Sequence, residues 1–278
     1  MFDRIVVMPG AGVLPVDAPV LRADDRGVTT GDGIFETLHV RAGRPWLLGE
    51  HLDRMVRSAA LLDLALPPRQ TLAGLAAEAC AAGPRTGEAA LRLVCTRGPE
   101  GAGVTLYATL APVPPGALRE RHDGVHVLTA SLGVTATGRT ELPWLPAGAK
   151  SLSYAPNLAA RRWAAANGAD DLLWTSTDGY ALEAPTANLL WLTGGTLCTV
   201  PAARTGILAG VTAGHALARA GALGWNAEER MVTPAELTTA EGVWLTSSLR
   251  GPAPVRSLDG HPLPDTAPTA RLRDLLGY

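Results

Sequence analysis

Lysine is nearly missing from this chain of 278 residues. Lysine and arginine together number 24, but reading along the sequence finds a single lysine, Lys150, and 23 arginines. The heavy use of Ala, Gly, Pro and Arg points to a bias that places Arg wherever a surface cation will do. The lone lysine is then either an accident of that bias or a residue doing what Arg cannot. Guanidinium stays protonated, whereas an amine can lose its proton and condense with an aldehyde.

Other absences narrow the field. The three cysteines, Cys80, Cys95 and Cys198, are far apart and form no CxxC pair, which argues against a disulfide framework or a zinc site and for ordinary buried thiols. A net charge of -2 and a pI near 6.3 give no electrostatic footprint for nucleic acid or an anionic membrane. The longest charge-free stretch, 184–203, is broken by Pro185, Gly194, Gly195 and Pro201, so it reads as hairpin rather than bilayer span. Asp3 and Arg4 stand where a secretory signal would begin its apolar core, so a cytoplasmic protein is expected. There is no HExxH, no GxxxxGK[ST] and no GxSxG, so no metal is expected. Gly31-Asp32-Gly33 lacks a third glycine, and the six histidines are scattered, as structural or exposed residues would be.

A hydrophobic content of 47% against 18% charged residues supports a large core. At roughly 150 residues per domain the length allows two domains. The division falls after the turn-rich Pro112-Val113-Pro114-Pro115-Gly116, giving a smaller domain at 1–115 and a larger one at 116–278. Periodicity places helices at 49–64 and 70–82 and strands at 90–97 and 104–111 in the first. In the second it places strands at 125–131, 171–176, 180–183, 188–193, 196–200, 243–247 and 255–257, and helices at 157–167 and 211–222. No β-α-β-α rhythm runs through these elements, so the expected class is α+β.

Lys150 invites a search for what a Schiff-base lysine needs. Its commonest aldehyde partner, pyridoxal 5'-phosphate, requires a group at the pyridine nitrogen and a cup for the phosphate. Glu183, ending an apolar strand, could hold the ring nitrogen protonated; read without a cofactor it is an edge-strand carboxylate in solvent. Gly210-Val211-Thr212 opens a helix, where backbone N–H groups and the Thr212 hydroxyl could hold an anion, or where Thr212 could simply cap. Thr246-Ser247-Ser248 offers further donors or a polar strand end. Arg54 could make a bidentate phosphate contact or sit on a solvated helix face.

The order of these segments resembles the class IV aminotransferases, the family that includes branched-chain aminotransferases, D-amino-acid aminotransferases and aminodeoxychorismate lyases. The resemblance rests on Asp25-Arg26-Gly27, Gly31-Asp32-Gly33-Ile34-Phe35-Glu36-Thr37, His51-Leu52-Asp53-Arg54, Lys150, Glu183 with Asn188-Leu189, Gly210-Val211-Thr212 and Pro254-Val255-Arg256-Ser257-Leu258-Asp259-Gly260. It implies a two-domain, D-amino-acid aminotransferase-like α+β fold with pyridoxal 5'-phosphate between the domains and a homodimer. Residue by residue, it implies Lys150 as Schiff-base lysine and proton shuttle and Glu183 at the pyridine nitrogen. Arg54, Val211, Thr212, Ser247 and Ser248 would surround the phosphate, with Leu208 on the ring and Tyr154 near the aldehyde oxygen.

Among the members, D-amino-acid aminotransferases carry an Arg-x-His after the strand matching 91–96; here Arg97-Gly98-Pro99-Glu100-Gly101-Ala102-Gly103 holds no His. Branched-chain enzymes have Tyr where this chain has Thr30. The run Leu91-Arg92-Leu93-Val94-Cys95-Thr96-Arg97-Gly98 and the approach Leu145-Pro146-Ala147-Gly148-Ala149-Lys150 look like those of aminodeoxychorismate lyases, although Ala102 and Ser153 stand where some lyases have Arg and Asn. The resemblance therefore implies a lyase forming 4-aminobenzoate and pyruvate, with Thr30, Phe35 and Arg97 near the small-molecule substrate. The alternative is an aminotransferase acting on branched-chain or other amino acids.

Overall fold

The computed structural model describes residues 2–264 and 267–278. The chain divides into two compact units. Residues up to Pro115 together with Ala149–Tyr154 form the first, and Gly116–Gly148 with Ala155–Tyr278 the second. The sequence division at 115/116 assigned 149–154 to the wrong unit. That segment runs along a strand of the first: Phe35 N–H donates to the Lys150 carbonyl (3.0 Å), Leu152 N–H donates to the Gly33 carbonyl (2.8 Å), and Ile34 and Ser151 form a β-bridge.

The first unit is an antiparallel sheet of strands β1 (Ile5–Met8), β2 (Gly12–Leu14), β3 (Gly33–Arg41), β4 (Arg44–Pro45), β5 (Glu88–Thr96) and β6 (Thr105–Ala111), in the order β2-β1-β6-β5-β3-β4. A short helix, α1 (Arg26–Thr29), precedes β3; α2 (Leu48–Leu61) and α3 (Arg69–Ala82) follow β4. Register fixes the faces, because directly paired antiparallel residues project to the same side. Ile34, Leu38, Leu91, Leu93, Ala108 and Leu110 form the buried side. Leu52, Met55 and Ala59 of α2 and Leu72, Leu75 and Ala76 of α3 join them in one core. Those helical positions recur at three- and four-residue intervals, which is why periodicity found both helices.

Asp25 explains the Asp-Arg-Gly motif. It is fully buried and caps α1 through a hydrogen bond from Gly27 N–H (2.8 Å). Its other carboxylate oxygen accepts from the hydroxyls of Thr96 (2.9 Å) and Thr105 (2.8 Å), tying the loop to β5 and β6. A Cβ at position 27 would collide with the Thr96 side chain, so glycine is required there.

The second unit contains β7 (Val125–Ser131), β8 (Asp171–Thr175), β9 (Glu183–Ala184), β10 (Ala187–Thr193), β11 (Thr196–Thr199), β12 (Asn226–Glu229), β13 (Gly242–Ser247), β14 (Gly251–Leu258) and β15 (His261–Pro262). Its main path is β12-β11-β10-β13-β14-β7-β8, with β9 on β10 and β15 on β14. Helices are α4 (Pro115–Asp123), α5 (Ala155–Ala166), α6 (Ala202–Thr205), α7 (Val211–Arg219), α8 (Pro234–Leu237) and α9 (Pro268–Leu276). Leu189, Trp191, Leu245 and Val255 lie in its core.

Three segments differ from expectation. Periodicity places no element on the charged run after Pro115, which is helix α4, and its charges meet distant partners: Glu120 pairs with Arg161 and Arg250. Of the expected 180–183 strand only Glu183 pairs with β10, together with Ala184 beyond it; Ala181 makes an isolated bridge to Thr175. Strand β14 starts four residues earlier than its aliphatic core at Val255. Its prolines, Pro252 and Pro254, face Thr246 and Trp244 at alternate positions, while β7 pairs only from Val255 onward. The missing N–H groups therefore point where no neighbouring strand needs them.

Replacing Asp25 by Ala removes three hydrogen bonds to a buried carboxylate, taking the acceptor from the Thr105 hydroxyl and leaving Thr96 Oγ1 with the bond it accepts from Gly98 N–H. Asp25→Ala is expected to lose at least ~3 kcal/mol of stability, read as a lower urea midpoint with unchanged slope; an unchanged midpoint would contradict the assignment.

Candidate active site

In the first unit the Lys150 segment delivers its side chain to an aromatic pair. Lys150 Nζ lies 4.3 Å from the centroid of the Phe35 ring and 5.8 Å from that of Tyr154. The two rings meet edge to face at 5.2 Å. The Lys150 backbone is pinned from α2, its N–H donating to Ser58 Oγ (3.0 Å). Phe35, Tyr154 and Lys150 are thus brought together.

Arg54 is no solvated helix residue. It is buried, and its Nε and Nη2 donate to the two oxygens of Glu36, each at 2.7 Å. His51, one turn earlier on α2, shares a 2.7 Å hydrogen bond with Glu36 Oε2. Alternation on β3 turns Glu36 toward α2 while Phe35 faces the other way. Burial alone would push the Glu36 carboxyl up, but the Arg54 charge and the hydrogen bonds from Arg54 and His51 overcome it and hold the pKa at about 2. Burial pushes His51 down, further than its bond to Glu36 pulls it up.

Arg97 and Thr30, expected near the substrate, both make hydrogen bonds within the unit. All three guanidinium nitrogens of Arg97 are engaged within the unit: Nε with Asp32 (2.6 Å), Nη1 with the Asp63 carbonyl (2.9 Å) and Nη2 with the Leu62 carbonyl (2.7 Å). It fastens the end of β5 to the carbonyl end of α2. Thr30 is exposed and donates its hydroxyl to the Arg26 carbonyl (2.8 Å), closing α1. A different residue occupies the lysine's surroundings. Arg92, exposed on β5, places its guanidinium carbon 4.0 Å from the Phe35 centroid. Pairing sets Arg92 opposite Thr37 and Thr109, on the face that also carries Phe35 and Tyr107. The available signal was a charge set in the otherwise apolar run Leu91-Arg92-Leu93-Val94.

In the second unit a row of polar residues crosses three strands: Glu183 pairs with Asn188, and Asn188 with Thr246. Glu183 is buried, not an edge carboxylate in solvent. Its Oε1 accepts from Arg139 (3.2 Å) and its Oε2 from Leu208 N–H (3.1 Å). Asn188 Nδ2 donates to the Leu208 carbonyl (2.7 Å), so both polar groups of the Leu208 backbone are held from the sheet. A Cβ at position 210 would collide with the Asn188 carboxamide, hence Gly210. The loop so held opens α7 at Val211, with no side chain capping it.

Thr212 therefore does not cap. Its hydroxyl is buried without a hydrogen-bond partner, and so is that of Thr246. A buried hydroxyl usually finds a partner. Beside the unbonded amides of a helix's first turn these two fit the oxygens of a phosphate. Ser247 and Ser248 close β13 and start the turn into β14, with the Ser248 carbonyl accepting from the Tyr278 hydroxyl (2.6 Å). Arg139, Asn188 and Thr246 complete this region; Arg139 lies in a loop whose partner no local pattern reveals.

Comparison with known proteins identifies the family. The model of the family described as amino-transferase class IV matches residues 33–258. The bifunctional aminodeoxychorismate lyase / D-amino acid transaminase of Mycobacterium tuberculosis is 40% identical over 271 residues, covering 94% of each chain. A D-alanine aminotransferase of Bacillus licheniformis is 29% identical, covering 88% of this chain and 85% of that one. Among solved structures, a hypothetical aminotransferase from Mycobacterium tuberculosis in its PLP-bound form superposes with a TM-score of 0.94 at 38% identity, over 99% of this chain and 98% of that one. A fold IV transaminase from Curtobacterium pusillum gives 0.91 at 37% identity, over 99% and 97%. The chain belongs to the class IV aminotransferases, an α+β family of two-domain enzymes, and its cofactor is pyridoxal 5'-phosphate. Among the described residues no His, Cys, Asp and Glu group could hold a metal ion, and no helix is long and apolar enough to cross a membrane.

The Glu36–His51–Arg54 cluster predicts a pH dependence. His51 is depressed below its ordinary 6.5, so its contribution is complete above that pH and is lost as pH falls. Glu36 is depressed from 4.5, so its contribution is complete above 4.5 and disappears toward about 2. The melting temperature is expected to fall as pH drops below 6.5 and to fall further below 4.5. The His51→Asn profile is expected to lack the upper phase and keep the lower one; identical slopes in both proteins would contradict this.

Proposed function

We propose that this enzyme is a 4-amino-4-deoxychorismate lyase, releasing 4-aminobenzoate and pyruvate for folate synthesis. The observation that carries the reading is the 40% identity, over 94% of both chains, to a relative named for that activity. The geometry supports it by placing two cations, Lys150 and Arg92, over one Phe35 ring. A substrate with carboxylates needs an anion-binding group close to the residue that moves its proton. A homodimer belongs to the same reading, supported by the family resemblance.

In this reading Lys150 carries the cofactor and Glu183 faces its ring nitrogen. Leu208 packs on the ring, with Tyr154 near its oxygen substituent. Arg54, Val211, Thr212, Ser247 and Ser248, joined by Thr246, surround the phosphate. The bound cofactor supplies an electron sink for the carbon that bears the substrate amine. Lys150 Nζ, freed when the substrate amine replaces it, would take the proton from that carbon and later return one to the departing three-carbon fragment. Glu183 is kept anionic and oriented by Arg139 and the Leu208 N–H. Glu36 holds the planar Arg54 head through two parallel bonds. Arg92 takes a substrate carboxylate.

The second reading is an aminotransferase, including one for D-amino acids. The same relative carries both activities in its name, so the missing Arg-x-His does not separate them. The reactions differ in what they consume: transamination requires a keto acid to close each cycle, whereas the lyase needs none. The expected result is many turnovers of 4-aminobenzoate release from aminodeoxychorismate without any keto acid. Rapid amino exchange between D-alanine, leucine or glutamate and 2-oxoglutarate, with no 4-aminobenzoate, would favour the second reading.

Arg92→Gln removes one charge-assisted contact worth about 1.5–3 kcal/mol, so KM is expected to rise roughly 10- to 150-fold, with partial rescue in Arg92→Lys. A kcat loss at unchanged KM would contradict a carboxylate-binding role.

A further inference from the structure

The turn joining β13 to β14 is held from outside by groups that no part of the reaction uses. Arg250, at its end, is buried to 3% exposure between two carboxylates, Nε with Glu120 and Nη2 with Asp171, each at 2.7 Å. Arg121 of α4 donates to the Leu249 carbonyl (2.6 Å). The Tyr278 hydroxyl donates to the Ser248 carbonyl (2.6 Å). The Tyr278 ring lies under the Arg121 guanidinium at 4.8 Å. It also abuts Gly251, where φ is +65° and a Cβ would come within 2.7 Å of the ring. Arg273 of α9 donates to the Arg121 carbonyl, and Tyr278 N–H donates back to the Arg273 carbonyl (3.0 Å).

Two successive carbonyls of the turn, Ser248 and Leu249, are therefore drawn toward Tyr278 and Arg121. In a trans peptide the N–H of the next residue points opposite to the carbonyl. Fixing these two carbonyls turns the Leu249 and Arg250 N–H groups to the other side of the turn. Without those donors the turn could rotate its peptide planes, and a carbonyl oxygen facing a phosphate would repel it.

We propose that Tyr278, with Arg121 beside it, is a positioning residue for the cofactor phosphate: it holds the Ser247-Ser248 turn with its donors, not its carbonyls, presented to the anion. The proposal rests on the reading that this turn closes the phosphate cup. It touches no reacting atom, and its effect is specific to the phosphate rather than to the pyridine ring.

The test uses holoenzyme and reads the 31P resonance of bound cofactor and its release rate, beside the release rate of enzyme loaded with phosphate-free pyridoxal. Tyr278→Phe keeps the ring against Gly251 and Arg121 and removes only the hydroxyl. It is expected to release pyridoxal 5'-phosphate roughly fivefold to tenfold faster, to shift the 31P resonance and to leave pyridoxal release unchanged. Arg121→Gln is expected to act in the same direction and serves if the first variant does not fold. Thr212→Val tests the cup itself. An altered Thr212→Val with wild-type behaviour in Tyr278→Phe and Arg121→Gln would overturn the proposal alone. Unaltered 31P resonance and release in Thr212→Val as well would overturn the cup reading and the proposal together. Equal acceleration of both vitamers with no 31P change would show a merely structural role and overturn it too.

Discussion

The cofactor half of this enzyme depends on one cross-strand row, Glu183–Asn188–Thr246. These polar side chains are buried, so each must be satisfied or must wait for a ligand. Glu183 and Asn188 are satisfied by the same peptide unit neighbours, the N–H and carbonyl of Leu208. That pair of bonds fixes the loop ahead of α7 and so aims the helix's first turn. Thr246, last in the row, and Thr212, on α7, are left with unanswered hydroxyls. The geometry is economical: the carboxylate assigned to the ring nitrogen and the donors assigned to the phosphate share one support. On the proposed reading, a change in Asn188 would therefore disturb both ends of the cofactor at once.

The first unit solves a different problem. Its lysine does not arise from the sheet but from a segment, Ala149–Tyr154, that the chain contributes after leaving for the second unit. Backbone hydrogen bonds to Gly33 and Phe35 give that segment strand-like rigidity. Alternation on β3 then divides the labour. Phe35 meets the lysine on one face, and Glu36 meets His51 and Arg54 on the other. A one-residue slip of this strand would exchange the two sets and destroy both.

How far the sequence could be read depended on how local the determining interaction is. The apolar spacing of α2 and α3 and the glycine pair between β10 and β11 carry their own signals, so those elements were legible. The lone lysine and the order of motifs exposed the family and its cofactor. What stayed hidden is set by partners far along the chain. Helix α4 looks like a linker until Glu120 finds Arg161 and Arg250. Arg97 gives no hint of Asp32 or of the end of α2, which its nitrogens meet. Arg139 gives no hint of Glu183, and Glu36 stood in a recognised motif without showing that it would bind Arg54. The prolines of β14 mimic a break because sequence does not show which side of a strand is unpaired.

The account stands on Lys150 being the residue that bonds the cofactor, and the near absence of lysine makes that unusually easy to test. Borohydride reduction of the holoenzyme, followed by proteolysis and mass mapping, reads the site of attachment directly. The predicted result is one pyridoxyl label, on Lys150, and none in Lys150→Arg. A label at any other position, or a covalent adduct persisting in Lys150→Arg, would contradict it.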